Sequence, residues 1–552
     1  MTESVVERIG DVKVFGQGLL GGKGFGLVKI NETHIPKAHK LRTRILTTDF
    51  YDRFYAHGAR FEKPDLNTFR SILRELGDIP ISVRSSASNE ARLFPGEDES
   101  VHAGENTSFM LPNNHADFSV RFNQLVQAIS HIYNDFKQKQ LPGSQEKMAI
   151  VINPIPGVYE NSDAGPVYYP MISGVANSYF PYALKTQRAV EGFARLAFGH
   201  GYATVLDDFP VISMATIQKP IPVRLLGEGQ KYFYAIDMTK NQSLTGDELE
   251  TMKRLHIRFA DFGTTKRLGR YKTWVTLEEL IHADRFGFRS GLLDIMESVA
   301  SRITSHFQIE FVFNLSCDGS ASQAGTFHVV QLTRLPAMVF EKVRFPATAR
   351  HTYLSIRSLQ GHGLKKRVRH ALVVSPFLYR RDMHSDTVRK LSQLAHTLTE
   401  KQSKFIILVP GRLGSNNREW GIQVEFKDIG QPDAIFEYGV DISGRPEPLQ
   451  DTMTTGGIYG SHFLYMIQGG HDEEQKRIQT RMFGTQGTHF LTNLMSNRVI
   501  YGYIAPLEDR LDPWFFSPRD EKEAVYVLDF PRPVNIYADS DAQECVILEE
   551  EG

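Results

Sequence analysis

An arginine set behind a β-branched run and ahead of small hydroxylated residues can bring a backbone close to an anion. Residues 81–90 read Ile-Ser-Val-Arg-Ser-Ser-Ala-Ser-Asn-Glu, and Ser100-Val101-His102-Ala103-Gly104-Glu105 follows. The Arg84 guanidinium can grip a phosphate in a bidentate fork, while Ser85 and Ser86 leave room and add donors. A second stretch, Gly21-Gly22-Lys23-Gly24, puts one ammonium in a glycine-rich turn that could fold over a triphosphate. It is not a Walker A loop, because Gln17 stands at the first glycine position and Gly24 follows the lysine. Taken singly, each stretch also reads as an ordinary turn.

A third stretch carries a carboxylate. Phe307-Gln308-Ile309-Glu310-Phe311-Val312-Phe313-Asn314 alternates as a strand does. Gln308, Glu310, Val312 and Asn314 then share one face, and the intervening apolar residues share the other. A buried carboxylate flanked by amides is costly without a cation, and Mg²⁺ held between protein oxygens and phosphates would satisfy it. The next strand, Phe327-His328-Val329-Val330-Gln331-Leu332-Thr333-Arg334, offers Gln331 and Arg334 beside it. An exposed polar strand face is the competing reading.

Several elements must position these groups. Leu27-Val28-Lys29-Ile30 could begin a helix after the glycine turn, and Thr48 to Phe54 reads as another helix start. Residues 147–153 form a short apolar strand stopped by Pro154 and Pro156. A small-residue helix with a Gly199-His200-Gly201 turn is expected over 189–205, a strand over 233–238, and a long helical stretch near 277–305. Between residues 341 and 370, eight lysines and arginines face one acid, Glu341. That segment reads as a solvated connection or as a basic edge for an anionic partner. A second α/β unit then starts with a strand at 371–374, a helix near 384–400 and a strand at 405–409.

At 552 residues the chain is long enough for two or three domains, and 41% hydrophobic with 23% charged residues is a globular composition. A net charge of −1 gives no overall case for nucleic acid. The two cysteines, Cys317 and Cys545, have no metal-type spacing. The N-terminus lacks a signal-peptide pattern, and the apolar runs are too short to span a bilayer, so a cytoplasmic protein is expected.

In order and wording, residues 15–340 resemble the ATP-binding domain of the phosphoenolpyruvate synthase and pyruvate, phosphate dikinase family. The shared features are the Gly-Gly-Lys-Gly opening, the Val-Arg-Ser-Ser-Ala strand, and an Ile-Glu strand beside one bearing Gln and Arg. The resemblance implies an ATP-grasp-like fold of two α+β lobes around ATP, followed by a smaller α/β domain. It implies domains at 1–340 and 371–552, joined by the basic segment 341–370. Gly22, Lys23, Arg84 and Ser85 would hold the phosphates, with Arg334 as a further contact. Glu310, Gln331 and Asn314 would face Mg²⁺, and the strand ending near Asn153 would line the adenine. This sequence departs from the family at Gln308 and Ala91, where acids are usual. The Gln331-to-Arg334 spacing is also one residue longer, so both reach one site only if a bulge intervenes.

The pyruvate-binding barrel of the full enzymes cannot fit downstream. Gly456-Gly457-Ile458-Tyr459-Gly460-Ser461-His462 is the nearest text to the family's phosphohistidine motif, one residue too long. His462 as a phosphate carrier competes with a structural histidine at a capped helix start. The second unit also resembles the C-terminal part of a little-described bacterial group sharing the dikinase ATP-binding domain. Its Gly411-Arg412-Leu413-Gly414-Ser415 turn, with His462 and His489, could form an acceptor site, or pack as a tight turn. The expectation is therefore an ATP- and Mg²⁺-dependent phosphotransferase with an unidentified acceptor or protein partner. An ATP-grasp ligase and a non-catalytic ATP sensor are the alternatives.

Overall fold

In a computed structural model, the chain is a mixed α/β protein with several sheets. In the N-terminal half the described residues are 5–6, 17–33, 35, 38–88, 107–140, 143–162, 165–181, 189–205, 212–214, 230, 232–240, 251–256, 265–268, 272–275, 277, 280–281 and 283–315. Beyond these they are 325–335, 340, 342–357, 359–375, 384–414, 421–438, 497–504, 509–516 and 523–549. Two compact units emerge. The first takes Met1–Ser178, Phe193–Pro222 and Gln230–Pro336, and the second takes the rest.

The first unit opens with β1 (Val5–Val6), α1 (Gln17–Glu32), β2 (Arg44–Leu46), α2 (Thr48–Ala56) and α3 (Lys63–Leu76). Next come β3 (Ile81–Ala87), β4 (Ser108–Leu111), α4 (Phe118–Lys139) and β5 (Met148–Pro154). These strands make one antiparallel sheet in the order β1-β2-β5-β3-β4. Alternation assigns its two faces. Ile81 and Val83 of β3 and Ile150 and Ile152 of β5 pack against Phe54 of α2, Phe69 and Leu73 of α3, and Leu125 and Ile132 of α4. The opposite face carries Ser82, Arg84 and Ser86, paired with Asn153, Val151 and Ala149. There Val151 and Ile45 pack against Leu20, Leu27 and Val28 of α1.

The remainder of this unit contributes β6 (Val158–Ser162), β7 (Gly165–Tyr169), β8 (Ile172–Asn177), β9 (Phe193–Phe198), α5 (Tyr202–Val205), β10 (Ile212–Met214), β11 (Tyr232–Asp237) and β12 (Met252–His256). A hairpin of β13 (Thr265–Leu268) and β14 (Lys272–Val275) precedes α6 (Phe288–Ala300), β15 (Phe307–Leu315) and β16 (Gly325–Arg334). One antiparallel sheet runs β10-β9-β8-β15-β16, and another runs β12-β11-β7-β6. Phe307, Ile309, Phe311 and Phe313 turn to the core that receives Phe288, Leu292 and Ile295 of α6. The strand alternation of 307–315 therefore holds.

Three expectations change. The glycine-rich stretch is no turn but the first half of α1, broken at Gly21 (φ +69°). Residues 193–198 form a strand rather than a helix, since Phe193-Ala194-Arg195-Leu196-Ala197-Phe198 lies between β8 and β10. Helix near 277–305 is confined largely to α6, preceded by left-handed residues Asp284, Phe286 and Gly287.

The second unit holds β17 (His351–Ile356), β18 (Leu359–Gln360), β19 (Gly363–Val374), α7 (His384–Glu400), β20 (Phe405–Pro410), β21 (Arg412–Leu413) and β22 (Gly421–Ile422). It closes with β23 (Ala434–Tyr438), β24 (Ile500–Ile504), β25 (Arg510–Leu511), β26 (Val525–Asp539) and β27 (Glu544–Glu549). Nine strands form one mixed sheet, β18-β24-β23-β20-β19-β26-β27-β17-β25. β19, β20, β23 and β24 are parallel neighbours, which requires a crossover such as α7. The basic segment 341–370 is not a free connection. It supplies β17, β18 and the first two thirds of β19, with Val368 buried and Lys366, Arg367 and Arg369 exposed. Among the described residues, no helix is long and apolar enough to cross a membrane.

Candidate functional site

Glycine lets α1 lie directly on strand backbone. A Cβ at Gly21 would stand 1.9 Å from the Ser86 carbonyl oxygen, and one at Gly26 would stand 2.1 Å from that of Leu332. The Gly24 amide donates to Ser86 Oγ (3.0 Å), which donates on to the Leu20 carbonyl (3.0 Å). Lys23 is buried, and its Nζ donates to the Ser85 carbonyl (2.9 Å). The glycines thus serve helix–strand contact, not a flexible loop. Gly22 and Ser85 are buried in the same contact.

Arg84 reaches across to the other sheet. Its Nη2 donates to Glu310 Oε2 (2.8 Å) and to Gln331 Oε1 (2.5 Å), and Nη1 donates to the Val330 carbonyl (3.3 Å). A β-bulge makes this convergence. Glu310 pairs with Gln331, yet Phe311 pairs with Val329, so Val330 is the extra residue. The bulge reverses the phase of β16. Phe327 and Val329 face the core before it, and Gln331 faces Glu310 after it. From Gln331 to Arg334 the pairing is regular, so Arg334 stands opposite Phe307 on the other face of the sheet. Arg334 does not join the cluster. Nor does Asn314, whose Oδ1 accepts the Met171 amide (2.8 Å).

Beside Arg84 on the same face lies a polar row with unmet hydrogen bonding. Asn153 is 2% exposed, and among the described residues both its Oδ1 and its Nδ2 lack a partner. Thr43 Oγ1, just ahead of β2, is likewise buried and unpaired. Such groups cost roughly 1–3 kcal/mol each unless water or a ligand meets them. Met110, which pairs with Ser82 on this face, packs with Ile155, Tyr168, Ile236 and Met238. An apolar wall, an amide with a free donor and acceptor, and a guanidinium are therefore grouped together.

The motif reading omits His200. Its amide donates to the Tyr234 carbonyl (2.8 Å), and its Nδ1 accepts the Tyr202 amide (3.2 Å). Burial, and then the Arg84 charge, push its pKa down to about 4, against the opposing pull of Glu310. The one sequence signal was its place between Gly199 and Gly201. His328, beside His39 (ring centroids 5.8 Å), is also pushed to about 4, mainly by burial.

Both histidines stay neutral in the fold down to about pH 4, whereas an unfolded chain protonates them near 6.5. The unfolded state then binds more protons between those values, so stability falls as pH drops from 6.5 towards 4. Thermal melts at pH 7 and 4.5 should show this loss, and His200→Gln with His328→Gln should shrink it. An unchanged loss in the double variant would refute the assignment.

Two oxygens from adjacent strands converge on one nitrogen of Arg84, so they can embrace a single cation. Among the described residues no group of three or more His, Cys, Asp or Glu is gathered. The donor set suits Mg²⁺ shared with phosphate oxygens and waters, not an all-protein cage. Glu90, Ala91, residues 100–105, Ser415, His462 and His489 lie outside the described residues. Of the second-unit turn, Gly411 and Gly414 are left-handed, and buried Glu437 accepts the Leu413 amide (2.8 Å) and the Tyr501 hydroxyl. No protein-family model and no curated protein matches the chain.

Proposed function

We propose that the first unit binds ATP with Mg²⁺ in an ATP-grasp-like manner and that the protein is a cytoplasmic phosphotransferase. The observation that carries this reading is the shared position of Arg84, Glu310 and Gln331. One cation and two oxygen ligands meet at the end of a face whose other members are an unmet amide and an apolar wall. A triphosphate would draw the guanidinium from Glu310, and the released carboxylate and Gln331 would hold Mg²⁺. The metal supplies charge neutralisation at the transferring phosphoryl group, which is most of what such catalysis needs. Arg84 orients the phosphates, and Lys23 stiffens the strand end that carries Arg84 and Ser85. Asn153 faces the base end of the site. The second unit would supply the acceptor, through the Arg412 turn or through His462 as a carrier.

A second reading, ATP binding without transfer, is favoured by one fact: among the described residues, the only charge partner of Glu310 is Arg84 itself. Incubation with ATP and Mg²⁺ followed by product identification separates the two. ADP indicates a simple kinase or ligase, and AMP indicates dikinase-type transfer. Bound but unchanged ATP supports the second reading, and absence of ATP binding overturns both.

A further inference from the structure

We propose that a pocket between the end of α1 and the stretch leading to β2 binds a small hydroxylated monocarboxylic acid, apolar between its two polar ends. The pocket has a volume of about 270 Å³ and lies wholly within the first unit. Leu27 and Ile30 of α1, Ile35, Ala38 and Leu41 of the connecting stretch, and Val329 of β16 make it mostly apolar. Its outer wall is anchored on two sides. Ala38 bridges to Phe327, and the His39 amide donates to the Phe327 carbonyl (2.8 Å). Lys40 Nζ donates to the Asn31 carbonyl of α1 (2.6 Å).

Two groups mark where the ends of a ligand would lie. Thr43, at the buried end, is 2% exposed. Among the described residues its Oγ1 is the one buried side-chain polar atom of the lining with no hydrogen bond. The polar neighbours are already met by α1: Asn31 Nδ2 donates to the Leu27 carbonyl (3.0 Å), and Thr33 Oγ1 donates to the Lys29 carbonyl (2.9 Å). A ligand hydroxyl can donate or accept, so it suits the Thr43 hydroxyl in either role. At the rim, Lys40 is exposed and is the one lysine, arginine or acid in the lining. An ammonium has three donors, so Lys40 can hold Asn31 and still grip a carboxylate. The acid at that end of α1, Glu32, is paired with Lys29 (2.9 Å). One cation suits a monoanion rather than a polyphosphate. An apolar cavity of about 150 Å³ admits benzene, so this pocket holds roughly a dozen non-hydrogen atoms, well short of a nucleotide. None of its lining residues belongs to the Arg84, Glu310 and Gln331 cluster, so its occupancy does not depend on ATP binding there.

Titration calorimetry on the full chain with three probes tests this. The first is 3-(4-hydroxyphenyl)propionate; 3-phenylpropionate lacks its hydroxyl, and 4-propylphenol lacks its carboxylate. The first should bind with one-to-one stoichiometry, and each truncated probe should bind about fivefold more weakly. Lys40→Met should erase the advantage of the carboxylate and keep that of the hydroxyl. Thr43→Val should do the reverse, and it should keep its fold because the hydroxyl it removes has no partner. Ala38→Leu, which fills the pocket, should abolish binding of all three, with thermal melts reporting that the fold is kept. If Ala38→Leu does not fold, the Lys40 and Thr43 variants decide. Equal binding of the three probes, binding that no variant alters, or no binding by the wild type overturns the proposal.

Discussion

Glu310→Gln should bind metal-free tripolyphosphate about tenfold more tightly than the wild type, and ATP binding should lose its response to Mg²⁺. The reason is competition for Arg84. The guanidinium is held by the Glu310 carboxylate at 2.8 Å, with side chains only 15% and 23% exposed. A phosphate must displace that carboxylate before it can use the fork. Charge-assisted bonds of this kind exceed neutral ones about twofold in strength, so neutralising the competitor is worth about a factor of ten. The same change removes the only anionic ligand of the proposed metal position, because Gln331 is neutral. Titration calorimetry with tripolyphosphate, and with ATP at varied Mg²⁺, reads both effects. Weaker tripolyphosphate binding in Glu310→Gln would mean that the carboxylate organises Arg84 rather than competing for it.

Gly21→Ala should cost about 3 kcal/mol or more of first-unit stability, whereas Gly18→Ala should shift it by less than about 0.5 kcal/mol. Gly21 combines φ +69° with ψ 175°, a region almost closed to other residues. A Cβ there would also meet backbone, the Ser86 carbonyl, which cannot rotate away. Gly18 has nothing within 4 Å of its would-be Cβ. Thermal or urea unfolding of the two variants makes the comparison internal. Equal, small losses would show that α1 adjusts freely against β3, and the account of the glycine stretch would fall.

Those glycines also mark where sequence reasoning reached its limit. Locally, Gly21-Gly22-Lys23-Gly24 reads as a turn because glycine is a poor helix former. The need for it arises from β3 and β16, strands far away in sequence, whose backbone α1 must approach. Phe193-Ala194-Arg195-Leu196-Ala197-Phe198 fails for a related reason. A strand buried on both faces loses its polar alternation and, with two alanines, imitates a helix. By contrast, the strand at 307–315 was legible, since one of its faces meets a phenylalanine-rich core and the other does not. Arg84, Glu310 and Gln331 were recognisable singly from motif order. Their mutual pairing was not, because it needs the bulge, and nothing in Val329-Val330-Gln331 announces one. Arg334 falls on the opposite face for the converse reason, that no bulge intervenes between it and Gln331, and His200 was passed over because a lone histidine between glycines carries little local signal.

Val330 has a consequence for how β16 can vary. It acts as a phase slip in an otherwise two-state lattice: upstream residues are written in one parity and downstream residues in the other. Any single insertion or deletion between Phe327 and Leu332 would either erase the slip or double it. The core and the cleft would then exchange side chains, with Gln331 sent inward among phenylalanines. The slip also turns its own carbonyl towards Arg84. One surplus residue therefore sets the reading frame of the strand and adds an acceptor to the charge cluster, so length at this point is constrained more tightly than identity.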